Sequence, residues 1–241
     1  MPQTLAQKIL QAHTDDVIER DGQIVQCRLS LVLANDITGP LAIKSFKGMG
    51  ASRVFDKDKI ALVMDHFTPQ KDIASANQVM ISRQFAQEQG ITHYYEGGDC
   101  GVEHTLLPER GLVGPGDVVI GADSHTCTYI GAFATGMGST DIAAGMALGE
   151  TWIKVPPTIR VNINGQMPKW LRGKDLMLLL IKTIGVDGAL YKALEFGGSV
   201  IDALPVEGRL TMANMAIEAG GKVGLFAVDE LTRQYCAEHG R

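Results

Sequence analysis

The 241-residue chain is 45% hydrophobic and 20% charged, with 22 Lys and Arg against 27 Asp and Glu for a formal charge of −5. That profile is the one of an ordinary globular protein, and it leaves no cationic excess for binding nucleic acid or coating an anionic membrane. Four scattered cysteines with no C-x-x-C, and a start without a basic segment and apolar run, point to a reduced cytoplasmic protein with no signal peptide. The longest apolar stretch, residues 176–181, is too short to span a bilayer. Glycine is in excess, 28 residues or about 12% where about 7% is usual, which anticipates tight turns and close backbone approach.

Thr4 with Gln7 three residues on predicts a capping box that opens a short helix, with Leu5 and Ile9 on its inner face. Val25, Cys27, Leu29, Leu31 and Leu33 alternate with mostly polar neighbours, as in one half-buried strand. It stops at Asn35-Asp36, an N-cap pair for the segment from Thr38. The apolar run 60–64 reads as a strand covered on both faces and ends at Asp65-His66. Residues 72–89 carry Ile73, Ala76, Val79, Met80 and Phe85 at helical spacing and close on Gly90.

A strand over 91–95 leads through Gly97-Gly98-Asp99-Cys100-Gly101 to Glu103-His104. Gly114-Pro115-Gly116 turns into a strand over 118–120, with Asp123-Ser124-His125 just past its end. The glycine-rich stretch 131–138 feeds a helix capped by Ser139-Thr140-Asp141 and running to Gly149; it suits either a bound carboxylate or phosphate, or close backbone packing. Lys154-Val155-Pro156-Pro157 is the linker candidate. Beyond it come a strand over 159–163, the turn Asn164-Gly165, a helix through 176–181, a helix carrying Asn214 and Glu218, and a terminal helix over 229–238. Buried strands alternating with helices specify an α/β fold with largely parallel sheets.

Two buried strands therefore end in acid–histidine pairs, Asp65-His66 and Asp123-Ser124-His125. In such sheets ligands bind outside the carboxyl ends of strands, and a carboxylate beside an imidazole orients it for proton transfer. One such pair alone is better explained by a helix cap next to a surface histidine; two of them, with His104 in a glycine loop, weaken that explanation. Asn214 and Glu218 are four apart and would share one helix face. A solvated face is the plainer explanation, weakened by the apolar neighbours Met212, Met215, Ala216 and Ile217. Other motifs fail: residues 136–141 are no dinucleotide fingerprint, Gly220-Gly221-Lys222-Val223 is no phosphate loop, Ser124 lies in no nucleophile elbow, and the cysteines lack zinc spacing.

Five blocks occur in order along the chain: Leu33-Ala34-Asn35-Asp36-Ile37-Thr38-Gly39-Pro40, Met64-Asp65-His66, Gly101-Val102-Glu103-His104, Gly121-Ala122-Asp123-Ser124-His125-Thr126-Cys127-Thr128, and Asn214-Met215-Ala216-Ile217-Glu218. On these the chain resembles the aconitase superfamily and, within it, the large subunits of the isopropylmalate isomerases. The resemblance implies aconitase-like α/β/α domains, one over 1–157 and a second over 158–241. It implies a hydro-lyase that moves a hydroxyl between adjacent carbons through an unsaturated intermediate, here interconverting 2- and 3-isopropylmalate in leucine biosynthesis. Homoaconitase and dimethylmalate dehydratase large subunits are the alternatives inside the superfamily, and an inactive stand-alone binding domain is the alternative outside catalysis.

The family pattern further implies a [4Fe-4S] cluster whose open iron serves as Lewis acid. In it His66, supported by Asp65, protonates the leaving hydroxyl, while His104 pairs with Asp123 and His125 with Glu218. Ser124 and Asn214 would face substrate or cluster, and Asn35 stands at a substrate-contacting position. The substrate is a small dicarboxylate or tricarboxylate-like acid, and a separate small, swivelling-domain subunit carries the proton-abstracting serine. One departure is clear. The family's cluster cysteines lie in a Ser-Cys-Thr-Asn block and a C-x-x-C downstream of the Asn–Glu helix, and Cys27, Cys100, Cys127 and Cys236 stand at none of those positions. No metal ligand is therefore assigned here; the expectation is a chain without the cluster-ligand domain, without a cluster, inactive by itself, and with hydrated carboxylates in an open cleft.

Overall fold

Helix α1 (Leu5–Ala12) opens with the expected capping box: Thr4 Oγ1 accepts from the Gln7 amide and Gln7 Oε1 from the Thr4 amide. The computed structural model describes residues 3–241. Ala6 and Leu10 form the fully buried stripe of α1, with Leu5 and Ile9 packed at its margin. The stretch expected as one strand is two, β1 (Ile24–Arg28) and β2 (Leu31–Asn35), in different sheets. The break falls at Leu29 and Ser30, whose amides bond to Gly149 and Val118 carbonyls and so swing the chain from one sheet to the other.

There follow α2 (Gly39–Gly48), β3 (Ile60–Val63), α3 (Ile73–Gln89), β4 (His93–Tyr95), α4 (Glu103–Glu109) and β5 (Val118–Gly121). Asp72 caps α3 by accepting from the Ser75 amide, and Gly90 closes it in the left-handed conformation at φ 67°. Only part of the expected inner face of α3 is inside: Val79 and Phe85 are buried, whereas Ile73 and Met80 are exposed. Next come β6 (Phe133–Gly136), α5 (Ser139–Leu148) and β7 (Glu150–Lys154). α5 begins at Gly138 without a side-chain cap, in place of the cap expected from Ser139-Thr140-Asp141.

The five strands β4-β3-β2-β5-β6 are hydrogen-bonded in that order and all parallel. Alternate residues feed opposite faces. Val32, Ala34, Ile60, Leu62 and Ile120 pack with α2, α3 and α5, while Leu33, Ala61, Val63 and Val119 pack with Leu106 and Leu107 of α4. Chain order runs outward from β2 to β4 and then resumes at β5 on the other side of β2, so the connections diverge between β2 and β5. A crevice opens at the carboxyl ends of strands at such a point.

β1 and β7 form a separate antiparallel ribbon, and the chain then passes through 155–157 into β8 (Thr158–Asn162). The expected linker is built into the fold rather than loose. Val155 and Pro156 are buried, Val155 exchanges backbone hydrogen bonds with Gln23 and Gly22, and Pro157 accepts from Ala193. After α6 (Gly173–Ile184), β9 (Ala193–Gly197), α7 (Ser199–Asp202), α8 (Val206–Asn214), β10 (Val223–Phe226) and α9 (Glu230–Glu238), the second parallel sheet reads β10-β9-β8. The helix expected through Asn214 and Glu218 stops at Asn214; Glu218 lies in a separate 3-10 turn, Ile217–Ala219, closed by Gly220 at φ 81°. Among the described residues no helix is long and apolar enough to cross a membrane.

Half of the glycine stretch 131–138 is strand β6, and close packing is what Gly136 serves: a Cβ there would lie 2.6 Å from the Asp123 carbonyl oxygen and 3.1 Å from Ser124 Cα. Backbone that close cannot yield without moving the loop it touches. Gly136→Ala is expected to lower stability by about 1–3 kcal/mol, read as a lower urea midpoint at unchanged denaturant slope.

Candidate functional site

The crevice between β2 and β5 collects the polar residues that end three neighbouring strands. From β2 come Asn35 and Asp36, from β3 Asp65 and His66, and from β5 the 3-10 turn Ser124–Thr128 with Asp123 as its cap. The loop after β4 adds Glu103 and His104 at the start of α4. Residues 214–218 reach the same place from the second sheet's side.

Each of the three expected imidazoles has a carboxylate at hydrogen-bond distance. His66 Nδ1 lies 2.6 Å from Asp65 Oδ1, His104 Nε2 lies 2.9 Å from Asp123 Oδ1, and His125 Nε2 lies 3.0 Å from Glu218 Oε1. Asp123 links them: its Oδ1 also accepts from the His125 amide, and its Oδ2 is 3.6 Å from His66 Nε2. The His104 and His125 rings are 6.3 Å apart. Asn214 Nδ2 donates to Thr128 Oγ1 at 2.8 Å, and Ser124 Oγ lies 3.3 Å from His125 Nδ1. Asn214 and Glu218 thus arrive at one place although they do not share one helix.

Asn35 is 1% exposed, and its amide is used by the fold itself: Oδ1 accepts from Ile37 and Thr38, and Nδ2 donates to Glu103 Oε1. The expectation of hydrated carboxylates is contradicted for Asp36 and Glu103, which are fully buried; the Asp65 and Asp123 side chains are 9% and 17% exposed, and Glu218 is half-exposed.

Three residues of the cluster escaped the sequence reading. Asp36 accepts from the His66 and Phe67 amides and holds the loop after β3. Tyr129 sits 3.3 Å from His104 Nδ1, and burial keeps its hydroxyl protonated well above the usual range. With the His104 Nε2–H directed to the Asp123 carboxylate, Nδ1 of the neutral ring is left to accept from that hydroxyl. Glu103 Oε1 is 3.5 Å from His104 Nε2, and the Glu103 amide donates to Asp65 Oδ2 at 2.7 Å. The only signal available was the place of Asp36 and Glu103 inside the Asn35-Asp36 and Glu103-His104 blocks; Tyr129, just past the block ending at Thr128, had none.

Burial opposes the charge of Asp123, but hydrogen bonds from His104 and the His125 amide, with the His104 and His66 rings nearby, hold its carboxyl down at about 2. The cluster walls two clefts. One, of about 880 Å³, reaches Asp123 and Ser124 and is bordered by Met137, Trp152, Tyr191 and Lys222. The other, of about 480 Å³, reaches His104, Thr128 and Asn214.

The four cysteines do not make a thiolate set for an iron–sulfur cluster. They lie on separate elements, burial raises all four thiols above their ordinary range, and Cys100 and Cys127 donate to backbone carbonyls. The carboxylates and His66 come within 4.8 Å of one another in two groups of three, yet the ring nitrogen and carboxylate oxygens of the Asp36–Asp65–His66 group are already paired with each other or with backbone amides.

Residues 7–241 match the aconitase family (aconitate hydratase). Over its whole length the chain is 85% identical to the 3-isopropylmalate dehydratase large subunit of Desulfovibrio desulfuricans and 73% identical to that of Nitratidesulfovibrio vulgaris strain Miyazaki F. It is 59% identical over 98% of its length to that of Moorella thermoacetica. The chain spans 58%, 58% and 56% of the lengths of these three relatives.

A carboxyl held at about 2 against an ordinary 3.8 stabilises the fold above pH 4 by about 2 kcal/mol, and that contribution disappears as pH falls through 2. Asp123→Asn is expected to cost that amount at pH 7, with the gap to the unaltered chain closing between pH 4 and pH 2 in denaturant titrations.

Proposed function

Because the chain belongs to the aconitase family, we propose that it forms the first two domains, 1–157 and 158–241, of a cytoplasmic 3-isopropylmalate dehydratase large subunit. The reaction in this reading is dehydration and rehydration that interconverts 2- and 3-isopropylmalate. The observation that carries it is the set of three imidazoles, each with a carboxylate at 3.0 Å or less, on the strand ends of one crevice. The names carried by relatives up to 85% identical over the whole chain favour this substrate over homocitrate or dimethylmalate.

Loss of a hydroxyl from one carbon and its return to the neighbouring one needs a proton delivered to a poor leaving group and later withdrawn from water. His66 takes that role. Asp65 at 2.6 Å receives Nδ1–H and fixes the ring, so Nε2 is the atom that gives and regains the proton. His104 is locked between Tyr129 and Asp123, with Nε2–H directed to Asp123, and it holds that carboxylate in place beside His66 Nε2. His125 donates to Glu218 through Nε2 and receives the Ser124 hydroxyl at Nδ1, which orients Ser124 at the edge of the larger cleft, where a substrate carboxylate or hydroxyl would bind. Asn214 keeps this turn in place through Thr128.

The family's [4Fe-4S] cluster supplies Lewis acidity when bound; in this reading residues outside these 241 hold it, since the cysteines here do not fit. A small subunit carrying the base that removes the carbon-bound proton completes the enzyme, as the large-subunit naming of the relatives suggests. The test is turnover by the assembled enzyme containing this chain, offered isopropylmalate, homocitrate and 2,3-dimethylmalate. Isopropylmalate turnover supports the proposal, and preference for another acid, or none turned over, refutes it. In that enzyme His66→Ala is expected to lower kcat about 10²–10⁴-fold with little change in KM, checked by steady-state kinetics alongside an unaltered circular dichroism spectrum.

A further inference from the structure

Glu103 is charged in sequence but fully buried, and the mechanism above gives it no task. Its Oε1 accepts from the Asn35 amide at 3.2 Å, while its Oε2 has no partner among the described residues. One of its oxygens lies within 4.8 Å of both a ring nitrogen of His66 and a carboxylate oxygen of Asp123. Every element packed around it brings a titratable group: Asp36 from the end of β2, Asp65 and His66 from β3, Asp123 from β5, His104 from α4, and Tyr129 beyond the 3-10 turn. None of these four carboxylates has a Lys or Arg ion-pair partner among the described residues.

A further negative charge in that space meets neither water nor a fixed cation, and a carboxyl so placed takes a proton instead. We propose that Glu103 is a neutral carboxylic acid in the working protein, a positioning residue that keeps its own proton beside the Asp123 carboxylate and the His66 ring. Its neutrality leaves the negative charge at this point on Asp123, whose Oδ1 binds His104 and the His125 amide. An ionised Glu103 would instead compete with Asp123 for the same imidazole, since its Oε1 is already 3.5 Å from His104 Nε2. Desolvation first, then Asp65, Asp123 and Asp36, pushes the Glu103 carboxyl up to about 9, against a smaller opposing effect from the Asn35 amide. The inference concerns this chain alone and holds whichever acid the enzyme turns over.

Two measurements on the 241-residue chain decide it. With glutamate side chains labelled with ¹³C at the carboxyl carbon, one resonance is expected to stay at the protonated position through pH 7–8 and to vanish in Glu103→Gln. If every glutamate titrates near the ordinary 4.5, or if the high-pH resonance survives the substitution, the proposal is wrong. Glu103→Asp makes the same assignment should the Gln variant not fold. The second measurement is stability against pH. The native state keeps a proton between about pH 4.5 and pH 9 that the unfolded chain has released, so stability falls as pH rises across that window. Glu103→Gln removes this slope, and its melting temperature should gain steadily on that of the unaltered chain from pH 5 to pH 9. A difference that stays constant over that range would leave Glu103 a packing residue and overturn the proposal.

Discussion

One carboxylate ties the site together. Asp123 accepts from His104 through the same oxygen that takes the His125 amide, and turns its second oxygen towards His66. Remove that group and three imidazoles from three different segments lose their common reference. Its position is itself imposed from behind: Thr126 Oγ1 bonds the Asp123 carbonyl, and Gly136 of β6 leaves that carbonyl room. The chemistry of the crevice therefore depends on backbone packing that carries no charge at all.

The sheet explains why these segments meet. Parallel strands must all present their carboxyl ends on one edge, and the divergence between β2 and β5 opens a crevice there. Helix α4 covers the opposite face to α2, α3 and α5, which delivers Glu103 and His104 to the same edge as Asp65. Two buried side chains, Asn35 and Asp36, brace the loops that follow β2 and β3.

What could be read from residues alone was what local chemistry decides. Thr4 with Gln7, Asp72 and Gly90 announce helix ends because capping is a matter of neighbours in sequence, and the apolar run at β3 needs no partner to be seen as buried. The division of residues 24–35 into two strands could not be read, because the alternation continues unbroken while the chain changes sheets at Leu29-Ser30. Nor could the fate of Asn214 and Glu218: a helical spacing predicts one face, but the helix ends at Asn214 and a 3-10 turn carries Glu218 to His125. Glu103 was invisible for a different reason. A lone acid beside a histidine looks solvated until tertiary structure closes over it, and only the burial of its neighbours turns it into an electrostatic problem.

The turn Ser124–Thr128 packs on both units: it lies against Gly121 and Gly136 of the first sheet and, through Cys127, against the second. Cys127 and Ile130 are embedded in the apolar cluster of the second sheet with Met212, Ala213 and Phe226, while Ala193, Val223 and Leu225 of that second unit lie in the cluster of the first. Residues on either side of 155–157 thus share both apolar clusters. Melting of either sheet therefore strips apolar cover from residues of the other, so that the opening of β10 is felt in the cluster that also holds β5.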